Sequence, residues 1–467
     1  MRYVSTRGAS PALGFEDVLL AGPAVDGGLY VPESWPHFSA AEMRGWRDLG
    51  YADLAARIMA PFVAGAVGED EFARIVRDTY AGFGDKEVAP LKELAPNLYL
   101  LELFHGPTLA FKDYALQLVG RLFDLFLKNR GRHVTVVGAT SGDTGSAAIE
   151  ACKGKDSIDV FILHPKGRVS DVQRRQMTTV DSANVHNIAV SGTFDDCQDL
   201  VKAMFADAGF RERMGLAAVN SINWARVMAQ TVYYFYAALK LGAPDGEISF
   251  AVPTGNFGNI YAGYAAKRMG LPIKALIAAS NRNDIIARLF ATGKLEIAPV
   301  VPTLSPAMDI QVSSNLERLL FELFGRDGKT VAEFLDKFRK TGKAELPEKP
   351  YRQALETFSG FRLDDEGTIR EIAAVHEENG ILIDPHTAVG LAAAKAGRDP
   401  KVPMVAIATA HPAKFPEAVL RATGEMPELP PHLADLMKRR ERFETLPAEL
   451  AAIKEFIEGR AAQRGAA

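Results

Sequence analysis

The chain has 467 residues, 48% hydrophobic and 24% charged, with 54 basic and 58 acidic side chains for a net charge of -4. At about 150 residues per domain this length corresponds to roughly three structural units. The slightly acidic balance excludes the dominant basic field that a nucleic-acid partner requires.

Residues 27–32 read as a glycine turn into a strand that Pro32 ends, and apolar spacing of three and four predicts helices over 51–60 and 69–80. A linker follows at 83–90. From there strands and helices alternate. A strand spans 98–104, and a helix spans 113–128 with Ala115, Leu118, Val119, Leu122, Leu125 and Phe126 on one face and Gly131 closing it. Strand 134–137, helix 144–151 and strand 159–163 come next, and Ser170 caps another helix. The alternation continues through strand 185–190, helix 195–208, strand 217–219 and helix 224–241. Strand 248–252, a loop at 255–259, a helix ending at 269 and strand 273–279 complete it. Such a pattern predicts parallel sheets covered on both faces by helices. Residues 327–365, with a helix at 331–340, break the rhythm and read as an insertion. The sheet pattern resumes at 381–383, followed by helix 387–396 and strand 403–408. A proline-rich opening at 427–431 leads into a tail that ends in an amphipathic helix over 447–460.

The two cysteines, Cys152 and Cys197, form no CxxC pair and sit in apolar helical patterns, as buried thiols of a reducing compartment do. Residues 1–17 hold no continuous apolar segment of the secretory kind. The apolar run 402–410 is far short of the roughly 20 residues that span a bilayer. A cytoplasmic location with no membrane partner is expected.

Ligands of open α/β sheets bind beyond the carboxyl ends of strands, and five stretches occupy such positions. Lys112, after Ala110 and Phe111 at a helix start, is placed for work as an amine. Desolvation lowers a lysine's pKa, and the neutral amine forms a Schiff base. The plainer reading is a lysine that snorkels past Phe111. The loop Gly255, Asn256, Phe257, Gly258 and Asn259 lies between a strand and a helix, where backbone N–H groups can gather on one anion. It has neither dinucleotide spacing nor the P-loop lysine, and a plain turn is the alternative. The loop Thr140, Ser141, Gly142, Asp143 and Thr144 can hold a second anion or simply cap a helix. In the stretch Asn220, Ser221, Ile222, Asn223, Trp224, Ala225 and Arg226, the arginine falls one turn into its helix, as a forked phosphate donor or a surface residue. Thr409 ends a strand with a hydroxyl that can meet a cofactor ring nitrogen. His386 and His411 read as cap or core residues, and no clustered pattern of metal ligands is present. An amine together with a distant phosphate cradle is what a pyridoxal 5'-phosphate (PLP) site requires.

The stretch from His105 to Asp113 (HGPTLAFKD), the loop GATSGDTG, the stretch NSINWAR and the loop PTGNFGN together closely resemble the threonine synthase family of fold-type-II PLP enzymes, in its longer fungal and proteobacterial kind. The likeness runs over about residues 1–425. It implies an α/β, two-lobed fold with parallel-rich, helix-covered sheets and a small N-terminal α+β domain. The implied division is an N-terminal domain at 1–85, a PLP-binding catalytic region at 90–425 (small lobe about 110–235, insertion about 327–365) and a helical tail at 426–467. Lys112 would hold PLP as an imine. Gly255, Asn256, Phe257, Gly258 and Asn259 would bind its phosphate, Thr409 would face its ring nitrogen, and Asp143 would lie at the ring hydroxyl. Many relatives carry Asn where Asp143 stands, and an ionised carboxylate cannot donate. Ser141, Gly142 and Thr144 would surround the substrate, and Thr140, Asn220, Ser221, Asn223 and Arg226 would bind its phosphate. The implied activity is a lyase that converts O-phospho-L-homoserine and water to L-threonine and phosphate by γ-elimination and β-addition, in a monomer or small homo-oligomer. A threonine or serine dehydratase would share Lys112 and the 255–259 loop without needing Arg226 or Asn220. A catalytically inactive, ligand-binding relative is the non-enzyme alternative.

Overall fold

Apolar strands that alternate with amphipathic helices bury both faces of a parallel sheet, and this chain builds two such sheets. The computed structural model describes residues 1–140, 142–217 and 221–465. Its backbone divides into two compact units: Met1–Ala115 with Ser221–Pro427, and Leu116–Asn220 with Glu428–Ala467.

The first unit holds a six-stranded sheet in the order Phe358–Arg362, Ile273–Ser280, Ile248–Pro253, Met404–Ala408, Leu98–Glu102, Leu91–Ala95. Neighbours are parallel except the last pair. Strand residues point alternately to opposite faces. On one face Ala251, Ile277, Ala406 and Ala408 share a core with Ile372 and Val375 of helix Asp365–Asn379 and with Ala388 and Leu391 of helix Pro385–Gly397. On the other, the Phe250 ring meets that of Tyr234, in helix Trp224–Lys240, at 4.8 Å. Residues 1–80 add a three-stranded antiparallel sheet, in the order Leu13–Gly14, Arg2–Ser5, Tyr30–Pro32, and the helices Tyr51–Val63 and Glu69–Tyr80. Their Tyr3 and Phe62 rings lie 6.0 and 5.7 Å from the ring of Trp224.

The second unit holds a five-stranded, all-parallel sheet in the order Glu444–Pro447, Val185–Ser191, Ile158–Pro165, Val134–Ala139, Leu216–Ala217. Its central strand is buried along its whole length. Cys152 and Cys197 are free and buried, and Ser170 caps its helix by accepting from the Gln173 N–H. Among the described residues no helix is long and apolar enough to cross a membrane.

Several sequence expectations need correction. The run 381–383 is not a strand. It is caught between Gly380, the left-handed C-cap of one helix, and Asp384, the N-cap of the next, with no room to pair. Residues 327–365 are not simply an insertion: after helix Gly328–Thr341, Phe358–Arg362 forms the edge strand of the six-stranded sheet, with Phe358 buried. The tail is not only helical, because Glu444–Pro447 adds a strand parallel to Val185–Ser191, and Ile453 and Ile457 of helix Leu450–Gly465 enter the core of the second unit. The single helix expected over 195–208 is interrupted at Asp207, which ends one helix and caps Ala208–Met214. Of the strand expected at 217–219, the part beyond Ala217 lies outside the described residues.

Helix Asp113–Asn129 crosses helix Asp143–Cys152 at Gly120, where a Cβ would lie 2.3 Å from the Ala151 carbonyl oxygen. Gly120→Ala is therefore expected to force these helices apart at a cost of about 1–3 kcal/mol, the range for overpacking. Calorimetry should show a lowered melting temperature, and an unchanged one would contradict the close crossing.

Candidate active site

The segment before Lys112 is held from both sides. The fully buried Asp113 carboxylate accepts from the Thr108 backbone N–H (2.7 Å) and hydroxyl (2.8 Å). Gly106 is required beside it, since a Cβ there would lie 2.4 Å from that of Asp113. Leu109 takes a left-handed conformation (φ 62°), and Ala110 forms an antiparallel bridge with Ala410. The Phe111 N–H donates to the Thr409 carbonyl (2.8 Å), and the His411 N–H donates to the Leu109 carbonyl (3.0 Å). Buried Lys414 donates to the Thr108 carbonyl (2.7 Å). These bonds bring Lys112 (9% exposed) beside Thr409 (6% exposed). The Lys112 Nζ stands 5.4 Å from the Phe111 ring centre, so the chain does not carry the amine past that ring into water.

Thr409 is fixed in turn by Asp384. Its N–H donates to the Thr387 hydroxyl, and that hydroxyl donates to Asp384. Asp384 also pairs with His386 Nδ1 (2.7 Å), and His386 Nε2 accepts from the Ala307 N–H (3.1 Å). This assigns the proton to Nδ1 and makes His386 a structural residue. His411 caps a short turn through Nδ1.

The 255–259 loop follows strand Ile248–Pro253 and opens the eleven-residue helix Gly258–Arg268. Ser313 donates to the Gly255 carbonyl, and Asn315 donates to the Asn256 carbonyl from its backbone N–H (3.1 Å) and its Nδ2 (3.0 Å). A trans peptide points its C=O and N–H in opposite directions, so these contacts turn the following N–H groups away from Ser313 and Asn315. The backbone N–H groups of Gly255, Asn256, Phe257, Gly258 and Asn259 donate to no acceptor among the described residues. Phe257 is left-handed (φ 61°), and a Cβ on Gly255 would lie 2.7 Å from the Ala307 carbonyl oxygen. The Asn259 Oδ1 accepts from Tyr233 (2.6 Å) and Tyr234 (2.8 Å), while its buried Nδ2 has no partner among the described residues. A run of unpaired donors at the positive end of a helix is the set a phosphate group takes, so this loop fits the phosphate of PLP.

Helix Trp224–Lys240 starts at Asn223, whose Oδ1 accepts from the Ala225 N–H (3.1 Å) and whose Nδ2 donates to the Leu19 carbonyl (2.8 Å). Each end of this amide is thus engaged once, which leaves one Nδ2 hydrogen and one oxygen lone pair unused among the described residues. Arg226 is 3% exposed, and its Nε and Nη1 have no partner among the described residues. Burial pushes its pKa down to about 10, against the opposing pull of Tyr233, so it stays charged near neutral pH. Ser221 offers its carbonyl to Asn315 Nδ2 (3.2 Å). Asn220 lies outside the described residues.

In the second unit, the Thr140 hydroxyl accepts from the N–H groups of Gly142 (3.0 Å) and Gly145 (2.9 Å), which curls the loop back on itself. Gly142 (φ 146°) is needed because a Cβ would lie 2.5 Å from the Gln173 side chain. Gln173 donates to buried Asp143 (2.9 Å) at the start of helix Asp143–Cys152, and Thr144 is half-buried. Ser141 lies outside the described residues. Sequence reasoning did not single out Gln173, Ser313, Asn315, Arg318, Asp384 or Thr387. Asp384 and Thr387 form a local N-cap of helix Pro385–Gly397, but the tie from Thr387 to Thr409, like those of Gln173, Ser313, Asn315 and Arg318 to the site loops, spans 22 or more positions of the chain.

The sequence matches the family models "Threonine synthase N terminus" over 2–80, "Pyridoxal-phosphate dependent enzyme" over 83–337 and "Threonine synthase, C-terminal" over 387–457. The last reaches into the tail that no sequence motif covered. A threonine synthase of Pseudomonas aeruginosa is 56% identical over 459 residues, covering 98% of both chains. The crystal structure of a PLP-bound threonine synthase from Brucella melitensis superposes with a TM-score of 0.97 at 51% identity, over 98% of this chain and 99% of that one. The threonine synthase structure from yeast superposes with a TM-score of 0.94 at 39% identity, over 99% of each. With models for its beginning, middle and end all matched and relatives aligned along nearly its whole length, the chain belongs to the threonine synthase family of fold-type-II PLP-dependent enzymes.

Proposed function

We propose that this chain binds PLP at Lys112 and converts O-phospho-L-homoserine and water to L-threonine and phosphate, the last step of threonine biosynthesis. The observation that carries this reading is Arg226, a buried guanidinium whose Nε and Nη1 have no partner among the described residues. An uncompensated buried charge costs several kcal/mol, and a phosphorylated substrate supplies the acceptor that would offset it. A dehydratase acting on unphosphorylated threonine or serine leaves Arg226 uncompensated.

The remaining residues take roles by their chemistry. The 255–259 N–H groups and Asn259 Nδ2 hold the cofactor phosphate. Thr409 gives the ring nitrogen a hydroxyl partner without placing a negative charge there. Ser221, Asn223 and Arg226, with Thr140 and Asn220, bind the substrate phosphate. Ser141, Gly142 and Thr144 surround the substrate, and Asp143, oriented by Gln173, lies at the ring hydroxyl. PLP, when bound, supplies an electron sink for the charge left as protons leave the substrate. The Lys112 amine is the group that carries protons to and from the substrate carbons. Two protons leave, from Cα and Cβ, and two return, to Cγ and Cα. The Cγ–O bond to phosphate breaks, water's oxygen bonds to Cβ, and its remaining proton goes to the departing phosphate.

Assays of phosphate release from O-phospho-L-homoserine and of ammonia release from L-threonine test the reading directly. Phosphate release should dominate, and the reverse would make the protein a dehydratase. Borohydride reduction of the coloured holoenzyme followed by peptide mapping should place the reduced adduct on Lys112. A tag on another side chain, or none, would refute the cofactor assignment. Arg226→Ala should raise the KM for the phosphorylated substrate about 10- to 150-fold, the worth of charged hydrogen bonds of about 1.5–3 kcal/mol, with PLP loading retained. Equal loss of both would contradict its role. Thr409→Asp should hold a proton on the ring nitrogen and shift turnover toward transamination, visible as keto-acid formation. An unchanged product partition counts against the hydroxyl's role.

A further inference from the structure

Asn315 precedes helix Leu316–Leu323 and is fully buried, yet every polar atom of its side chain is used. Its Nδ2 donates to the Ser221 carbonyl (3.2 Å) and the Asn256 carbonyl (3.0 Å), and its backbone N–H donates to the Asn256 carbonyl as well. Its Oδ1 accepts from Arg318 Nη1. Arg318, also fully buried, donates from Nε to the Tyr30 carbonyl (3.0 Å) and from Nη2 to the Ile222 carbonyl. Asn256 belongs to the cofactor-phosphate loop, and Ser221 and Ile222 open the segment that carries Arg226. Tyr30 belongs to the N-terminal sheet. One amide therefore grips carbonyls of both phosphate-binding segments, and the arginine that orients it reaches the N-terminal region.

The orientation of the amide follows from its partners. Flipping it would face NH2 toward a guanidinium and the oxygen toward two carbonyls. Among the described residues Arg318 makes no ion pair; it is held by neutral oxygens and lies 5.8 Å from the Trp224 ring centre. Its planar fork can hold several points at once, which a lysine cannot. Holding the Asn256 carbonyl fixes the peptide plane whose other side is the Phe257 N–H, one of the unpaired donors. Holding Ser221 and Ile222 fixes the approach to Asn223 and Arg226. Neighbouring Glu317 ties the same helix to Thr6 (2.7 Å) and Arg7 (3.0 Å) of the N-terminal region.

We propose that Asn315, oriented by Arg318, is a positioning residue that keeps the segment bearing Arg226 in register with the cofactor-phosphate loop, so that the two phosphate groups are bound through one shared buried support. This rests on the functional reading above. Asn315→Asp keeps the size of the side chain and its pairing with Arg318, but turns an oxygen toward the Ser221 and Asn256 carbonyls. Equilibrium dialysis with absorbance measures PLP affinity, and cofactor fluorescence of the holoenzyme measures affinity for inorganic phosphate. Both dissociation constants should rise about tenfold, the worth of one buried hydrogen bond at each segment. Arg318→Lys, which loses the fork, should give the same paired shift if Asn315→Asp does not fold. Leu320→Ala, a buried change in the same helix, should lower the melting temperature and leave both constants unmoved. A shift in only one constant, in neither, or in both for Leu320→Ala overturns the positioning role. Arg226→Ala separates the two ideas, because it should weaken phosphate alone. Unchanged phosphate affinity there sinks the functional reading and this proposal with it, whereas a normal Arg226→Ala effect without the paired shift sinks the positioning role alone.

Discussion

The hydrogen-bonded pairing of Leu109 and Phe111 with Thr409 and His411 is the constraint on which the first unit's chemistry depends. It fastens the lysine segment to the end of strand Met404–Ala408, between strands Ile248–Pro253 and Leu98–Glu102. That strand runs parallel to Ile248–Pro253 with Ala251 opposite Ala406, so both deliver their carboxyl ends to one edge of the sheet. Continued in register, Thr409 comes level with Thr254, one residue before the phosphate loop. Neighbouring strands lie about 4.8 Å apart. An amine, a hydroxyl and a run of backbone donors are thereby gathered by sheet register, from stretches separated by more than a hundred residues.

The site is assembled from groups that the folded chain leaves uncompensated. Buried backbone N–H groups are almost always paired, but those of residues 255–259, buried or half-buried, donate to no acceptor among the described residues. Arg226 and Asn259 add buried side-chain donors with no partner among the described residues. Each lowers stability unless something binds, so ligand binding should recover part of what folding forgoes. The Gly255 and Asn256 carbonyls, by contrast, accept from Ser313 and Asn315. The loop is rigid on one face and unsatisfied on the other, which is how a backbone cradle stays open to an anion without collapsing onto itself.

The N-terminal region takes part in the same arrangement. Its Leu19 and Tyr30 carbonyls accept from Asn223 and Arg318, and its aromatic rings surround Trp224. These contacts converge on the segment from Ser221 to Arg226. A region in which the sequence showed no catalytic constellation therefore supports the segment that carries Arg226.

What the sequence determined by itself was local. Glycines, hydroxyls and the lysine stand at strand-to-helix junctions, and period and turn residues mark those junctions wherever a segment is long enough to show them. The helix expected at 331–340, the Ser170 cap and the buried cysteines were legible in this way, as was the plain structural reading of His386. Tertiary structure alone decided partnership. Residues 358–362 and 444–447 became strands because a sheet edge was there to pair with, and 381–383 did not because two helix caps confined it. Asn315 and Arg318 sit in no motif, since a hydrogen bond between residues 59 or 288 positions apart leaves no periodicity in the chain. Residue type and spacing can announce a donor, but which acceptor it meets, or fails to meet, is settled only when distant strands come into register.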